Sequence, residues 1–252
     1  MAGHSKWANI KHKKAAVDAK RGAVFTKMVK LILAAVKKGG GVGDPDMNAS
    51  LRLAVEKAKA ANMPNDNIDR AIKKATGDGD GVQFEELVYE GYGKGGVAMF
   101  VEALTDNRNR TFPEIRKIFE KAGGNLGEMG CVAWMFKRHG IIELNRDGKS
   151  EDDWMEIVLE AGAEDLELDE ETVEIRTSPE ELTSVMDTLR SQGYEPKGDV
   201  MNIADPTMKV DFETAQKVLN LMDALEEHDD VQSVTSSMEL TQEIKDKLEA
   251  GE

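Results

Sequence analysis

The fold is decided by residues 140–203, which run GIIELNRDGKSEDDWMEIVLEAGAEDLELDEETVEIRTSPEELTSVMDTLRSQGYEPKGDVMNI. Apolar side chains alternate with polar ones in some parts of this stretch, which predicts strands, and recur every three or four residues in others, which predicts helices. The predicted strands contain Ile141–Leu144, Leu166 and Leu168, Val173 and Ile175, and Val200–Ile203; the predicted helices contain Trp154, Ile157, Val158 and Ala161, and, after the cap Ser178-Pro179, Leu182, Val185, Met186 and Leu189. This strand-helix-strand-strand-helix-strand order is that of a ferredoxin-like unit.

The segments that flank this unit predict a second sheet. Phe84–Glu90 and Val97–Leu104 alternate as strands, and Thr111 with Glu114 forms a capping box that predicts a helix start. After the unit, residues 211–227 predict a helix and Val231–Val234 a strand. Because these last elements have no partners of their own, we expect them to complete the sheet begun at Phe84, with the ferredoxin-like unit inserted into it.

The N-terminal quarter predicts a small helical bundle. A helical pattern runs from Ser5 to Lys38, a second helix is expected after the cap Asp44-Pro45, and a third after the cap Asn65. The predicted fold class is therefore α+β and multidomain, with a basic helical bundle followed by two α/β sandwich domains. The expected boundaries are 1–78 for the helical domain, 79–135 with 206–240 for the discontinuous domain, 136–205 for the ferredoxin-like domain and 241–252 for an acidic C-terminal tail.

Charge is divided unevenly along the chain. The net charge is −15, yet residues 1–76 carry 16 Lys and Arg against 6 Asp and Glu, a net of +10. The remainder carries 17 against 42, a net of −25. A basic module beside an acidic one predicts a polyanionic partner for the basic part, since lysines that neutralise phosphates release condensed counterions.

Helical projection collects the lysines of the first helix on one side. Lys20, Lys27, Lys30, Lys37 and Lys38 fall within roughly 100° of arc, and Val24, Phe25, Met28, Leu31, Ile32 and Ala35 lie opposite. The predicted nucleic-acid-binding residues are His4, Ser5, Lys6, Trp7, Lys11, His12, Lys13, Lys14, Lys20, Arg21, Lys27, Lys30, Lys37 and Lys38. The alternative is a solvated lysine face with Trp7 as a core anchor.

A second candidate site lies in the loop before the predicted helix at Thr111. Backbone N–H groups at a helix start, together with Asn107, Arg108, Asn109 and Arg110, are suited to an anion or an RNA phosphate. The alternative is that the arginines pair with local acids such as Asp106 and Glu114.

Other patterns argue against catalysis. Gly91–Gly96 matches G-x-G-x-x-G, but a strand rather than a helix is predicted after it, which favours a hairpin loop over a dinucleotide site. The four histidines have no metal-ligand spacing and Cys131 is the single cysteine, so we expect no catalytic residue, no metal and no cofactor. The longest apolar run, Leu31–Val36, is too short to span a bilayer, and a cytoplasmic protein is expected.

Motifs across most of the chain resemble those of the YebC/PmpR family, which includes the mitochondrial translational activator of cytochrome oxidase. They are Gly3–Trp7, Asn62-Met63-Pro64 with Asn67-Ile68, Glu90–Gly93, Thr105–Thr111, Gly123–Gly127 and Val132–Phe136. Lys94 and Cys131 stand where proline and serine are usual in the family. The resemblance implies three domains, the third inserted into the second, in a bacterial-type cytoplasmic protein.

The function expected from charge and resemblance together is a non-enzymatic, DNA-binding transcriptional regulator. The first alternative is a ribosome-associated translation factor that binds ribosomal RNA and relieves stalls such as those at proline runs. The second is an enzyme that uses the loop of Arg108 and Arg110. Phosphate contact is common to DNA and RNA, so counting lysines leaves both polymers open.

Overall fold

The computed structural model describes residues 17–77, 84–169 and 171–250, without the side chains of residues 17–21, 249 and 250. These residues fall into two compact units. The first unit holds the described residues up to Cys131 together with Glu213–Val234. The second holds Val132–Phe212 and the described residues from Thr235 onward. The start predicted for the first helix, at Ser5, lies outside the described residues.

Three helices open the first unit: α1 (Val17–Lys38), α2 (Ala49–Ala60) and α3 (Asn65–Thr76). Their apolar stripes meet in one core of Ile32, Ala35, Val36, Leu51, Ala54, Val55, Ala58, Met63, Ile68 and Ala71. This packing is what a spacing of three and four residues provides, because such positions share one helix face. The predicted helical bundle is confirmed.

Two predicted helix caps are wrong. The side chain of Asn48, not Asp44, caps α2 by accepting from the Leu51 N–H, at 3.1 Å. The amide of Asn48 also donates to the carbonyls of Ala35 and Val42, so it ties the start of α2 to the end of α1. Asp44 instead accepts from Asp46 N–H within a turn, as Asx residues before proline commonly do. Helix α3 begins at Asn65 itself, after Pro64, without a side-chain cap.

The first sheet has the strand order β3-β1-β2-β8. Its strands are β1 (Glu85–Tyr92), β2 (Ala98–Thr105), β3 (Asn125–Leu126) and β8 (Val231–Ser236). The first unit also contains α4 (Arg108–Lys121) and, from Glu213 onward, α7 (Phe212–Glu226). Strands β1 and β2 form an antiparallel hairpin in which Tyr92 faces Ala98, with a 3-10 turn at Lys94–Gly96 between them. The hairpin interpretation of the glycine motif is confirmed, because a strand follows it. Strand β8 pairs beside β2, as predicted.

The second sheet has the order β5-β6-β4-β7, with antiparallel pairing throughout. Along the chain its elements are β4 (Phe136–Asn145), α5 (Glu151–Ala161), β5 (Asp165–Leu168), β6 (Thr172–Thr177), α6 (Leu182–Ser191) and β7 (Lys197–Ala204). This is the ferredoxin-like topology, and it is inserted between β3 and β8 of the first sheet, so the predicted fold class is confirmed. A last helix, α8 (Gln242–Ala250), lies where only an acidic tail was expected.

Candidate nucleic-acid interface

Much of the predicted interface lies outside the described residues. This holds for His4, Ser5, Lys6, Trp7, Lys11, His12, Lys13 and Lys14, and for the side chains of Lys20 and Arg21 on α1. Their role in nucleic-acid binding stays a prediction. The described part of the interface comprises the remaining four lysines of α1 and the loop at the start of α4.

Lys27 and Lys30 make contacts within the first unit. The Lys27 ammonium donates to the carbonyl of Glu226. The Lys30 ammonium lies 2.6 Å from Asp230 Oδ1 and 3.1 Å from the carbonyl of Asp229. Lys27 therefore ties α1 to the last residue of α7, and Lys30 ties it to the segment between α7 and β8.

Lys37 and Lys38 are exposed in the last turn of α1. Lys38 pairs with Glu86 at 3.1 Å, and the two side chains are 63% and 71% exposed. Such an exposed pair contributes only about 0–1 kcal/mol and is readily exchanged for another anion. On the opposite side of α1, Phe25, Met28, Leu31, Ile32 and Ala35 pack as projected, whereas Val24 is 38% exposed rather than inward.

A buried carboxylate joins the two predicted sites. Asp230 is 1% exposed, and its Oδ2 accepts from Thr111 Oγ1 at 2.7 Å, Arg110 Nη2 at 2.9 Å and Thr105 Oγ1 at 3.1 Å. Its Oδ1 accepts from Lys30. Lys30 of the basic helix and Arg110 of the loop are thus held on one side chain that sequence reasoning did not single out. We refer to Lys30, Thr105, Arg110, Thr111 and Asp230 as the Asp230 cluster.

The charges of the Asp230 cluster stabilise one another. Burial by itself raises the pKa of Asp230, but hydrogen bonds from Lys30, Thr111 and Arg110 outweigh it and hold that pKa well below its usual range. In return, the hydrogen bond to Asp230 raises the pKa of Arg110. The carboxylate is therefore charged and the guanidinium protonated wherever the protein is folded near neutral pH.

The loop places the helix start earlier than predicted. Helix α4 begins at Arg108, with the side chain of Asn107 as its cap, accepting from Arg110 N–H at 3.2 Å. The capping box of Thr111 and Glu114 is therefore wrong. Thr111 is buried and its hydroxyl is engaged in the Asp230 cluster, while Glu114 lies 2.9 Å from the imidazole of His228.

The two arginines of the loop differ. Arg110 pairs with Asp106 at 2.9 Å as well as with Asp230, which agrees with the ion-pair alternative except that Glu114 takes no part. Arg108 is exposed and forms no hydrogen bond or ion pair with any described residue. Of the cations in this loop, Arg108 has its charge available to a ligand.

Within the described ranges, no group of three or more His, Cys, Asp or Glu side chains is placed to hold a metal ion. Over the same ranges, no helix combines the length and apolarity needed to cross a membrane. Among the described residues, the groups of the candidate site that suit an anionic ligand are cations and hydrogen-bond donors.

Comparisons with known proteins agree over nearly the whole chain. The family model described as the TACO1/YebC protein N-terminal domain matches residues 5–78, and the one described as the TACO1/YebC second and third domain matches residues 84–238. A protein of Halothermothrix orenii named a probable transcriptional regulatory protein is 53% identical, over 98% of this chain and 99% of its own length. One of the same name from Persephonella marina is also 53% identical, over 98% of this chain and all of its own.

Among solved structures, a conserved hypothetical protein from Aquifex aeolicus matches with a TM-score of 0.83 and 49% identity. The match covers 94% of this chain and 98% of that one. The sequence matches and the structural match thus each extend over both units. The chain belongs to the TACO1/YebC family.

Proposed function

We propose that this protein is a non-enzymatic regulator of gene expression that binds DNA through the phosphate contacts of its N-terminal basic segment. The observation that carries the proposal is the division of charge, +10 over residues 1–76 and −25 over the rest. The basic segment is attracted to a polyanion and the acidic remainder is repelled by it, so binding is oriented. The relatives named probable transcriptional regulatory proteins support a role in transcription.

We infer that the lysines serving this role are those whose contacts do not hold the fold together. Lys27 and Lys30 donate hydrogen bonds to Glu226 and Asp230, so replacing these lysines would disturb the fold as well as the charge. Lys37 and Lys38 are exposed at the end of α1. The proposed phosphate-binding set is therefore Lys6, Lys11, Lys13, Lys14, Lys20, Arg21, Lys37 and Lys38.

The test replaces Lys11, Lys13, Lys14 and Lys20 together by glutamate in the full chain. The matched control replaces the exposed Lys94, Lys117, Lys121 and Lys197 by glutamate, which changes the net charge equally. Affinity for a DNA duplex is measured over a range of salt concentrations. We expect the first variant to lose binding and the control to retain it, with the logarithmic salt slope falling by about 0.9 for each phosphate contact removed. Equal loss in both variants would refute the basic segment as the binding surface.

A second candidate function is a ribosome-associated translation factor, in which the same segment contacts ribosomal RNA. The resemblance to the YebC/PmpR family favours it, because that family includes the mitochondrial translational activator of cytochrome oxidase. Cross-linking in cells, followed by sequencing of the bound DNA and RNA, separates the two. Promoter DNA supports the transcriptional proposal, and recovery of ribosomal RNA without promoter DNA would replace it by the second.

A further inference from the structure

Tyr89 on β1 carries a buried hydroxyl that makes no hydrogen bond within the described ranges. The residue is 7% exposed, and no described residue donates to its hydroxyl or accepts from it. Burial is the main cause that raises the pKa of this hydroxyl, and the charge of Arg108 acts in the opposite direction. A buried hydroxyl without a partner costs about 1–3 kcal/mol. Since the charge of Arg108 acts on it, the hydroxyl lies near the start of α4, where it is a hydrogen-bond donor without a described acceptor.

The first turn of α4 offers further donors beside it. No described group accepts from the N–H of Arg108 or Asn109, which are the first two of this 14-residue helix. Unbonded N–H groups at a helix start carry partial positive charge and attract anions. The Arg108 guanidinium adds a full charge, since Asp106 and Asp230 are already matched by Arg110 and Lys30. Asp230 and Glu85 also act on Tyr89, in the direction that raises its pKa. Asp230 is paired within its cluster, and Glu85 is exposed and screened by solvent.

An exposed aromatic ring adjoins these donors. Phe112 is 45% exposed and its ring centroid lies 6.2 Å from that of Tyr89. Arg108 and Phe112 are four residues apart and therefore lie on one side of the helix. An aromatic ring beside a cation is the pairing that proteins use to hold an unpaired base and its phosphate.

We propose that the start of α4 binds one unpaired nucleotide of a nucleic-acid strand, with its phosphate on Arg108 and the first-turn N–H groups and its base stacked on Phe112. In the proposed complex, the Tyr89 hydroxyl donates to the same phosphate. The inference rests on the proposed function and deepens it, because it gives the protein a preference for single-stranded or distorted segments over regular duplex.

The test uses the full chain with Arg108→Gln and Tyr89→Phe, and Arg116→Gln as the control. Arg116 is exposed on the same helix but pairs with Glu120. Fluorescence anisotropy measures binding to a short mixed-sequence strand, in DNA and in RNA form, and to the DNA duplex. We expect about tenfold weaker single-strand binding for Arg108→Gln and about fivefold for Tyr89→Phe, as charge-assisted hydrogen bonds are lost. Duplex affinity should fall less than single-strand affinity in both variants, and the Arg116→Gln variant should bind both as the wild type does.

The Tyr89→Phe variant separates binding from structure. Its hydroxyl has no partner in the described part of the chain, so a purely structural role predicts unchanged single-strand binding and equal or greater thermal stability. Wild-type ratios of single-strand to duplex affinity in both variants would overturn this inference alone. If the unmodified protein bound neither strand nor duplex, the proposed function would fall together with it. Whichever strand the protein binds with higher affinity, DNA or RNA, identifies the polymer that supplies the nucleotide.

Discussion

In the ferredoxin-like unit, Trp154, Ile142 and Leu189 are fully buried among other apolar side chains, whereas in the first unit the carboxylate of Asp230 is buried among cations and hydroxyls. An apolar core gains stability in proportion to the apolar area removed from water, whatever the charge state of its surroundings. A buried carboxylate is stable only while its partners remain, because an unpaired charge in the interior is costly. The two units should therefore respond differently to substitution and to pH.

The largest effect is expected in the apolar core. Trp154→Ala should lower the free energy of unfolding by about 3–5 kcal/mol, because it leaves a cavity in the sheet-helix layer. Trp154 is 0% exposed and its Nε1 donates to the Arg146 carbonyl at 3.0 Å. Urea unfolding followed by circular dichroism measures the change. Trp154→Phe is the control and should cost less, since it keeps most of the volume and loses the hydrogen bond. A loss of less than about 1 kcal/mol for Trp154→Ala would contradict tight packing of the core around Trp154.

The next effect concerns the Asp230 cluster. Asp230→Asn should destabilise the protein by about 2–4 kcal/mol, because Lys30 and Arg110 lose the carboxylate that neutralises them. The effect should be smaller than for fully buried partners, since the Arg110 side chain is 45% exposed and can turn to water. Asp106→Asn removes a carboxylate from the same arginine at an exposed position, and its effect should stay below about 1 kcal/mol. Equal effects for the two variants would show that burial of Asp230 contributes nothing.

Low pH should reduce the stability that Asp230 contributes to the folded protein. The pKa of Asp230 in the folded protein lies below its value of about 3.9 in the unfolded chain. Its contribution is therefore complete above about pH 4 and is lost as the pH falls through the folded pKa. The stability difference between wild type and Asp230→Asn should be constant near neutrality and narrow below about pH 4. Urea midpoints at successive pH values check this, and a difference that grows in acid would contradict it.

The ferredoxin-like unit could be predicted from sequence, whereas the Asp230 cluster could not. The ferredoxin-like strand order follows from apolar periodicity, because residues such as Val173 and Ile175, or Val185 and Leu189, repeat at short spacing along one element. The Asp230 cluster joins Lys30 to a residue 200 positions away, and no local pattern marks such a pair. The same reason explains the wrong start of α4. Thr111 has the sequence of a cap, but its hydroxyl is recruited by a carboxylate more than a hundred residues later.

The smallest effect on stability is expected for a lysine of α1. Two lysines of this helix, Lys38 and Lys30, should differ in whether they serve phosphate binding or the fold. Lys38→Gln removes only an exposed pair and should change the free energy of unfolding by less than about 0.5 kcal/mol. If Lys38 contacts a phosphate, the same variant lowers the salt slope of duplex binding by about 0.9. Lys30→Gln should do the reverse, with a measurable loss of stability and an unchanged slope, because its ammonium is held by Asp230. A reduced slope for Lys30→Gln would mean that the lysine leaves Asp230 to meet DNA. The Asp230 cluster would then open on binding rather than serve as a fixed tie.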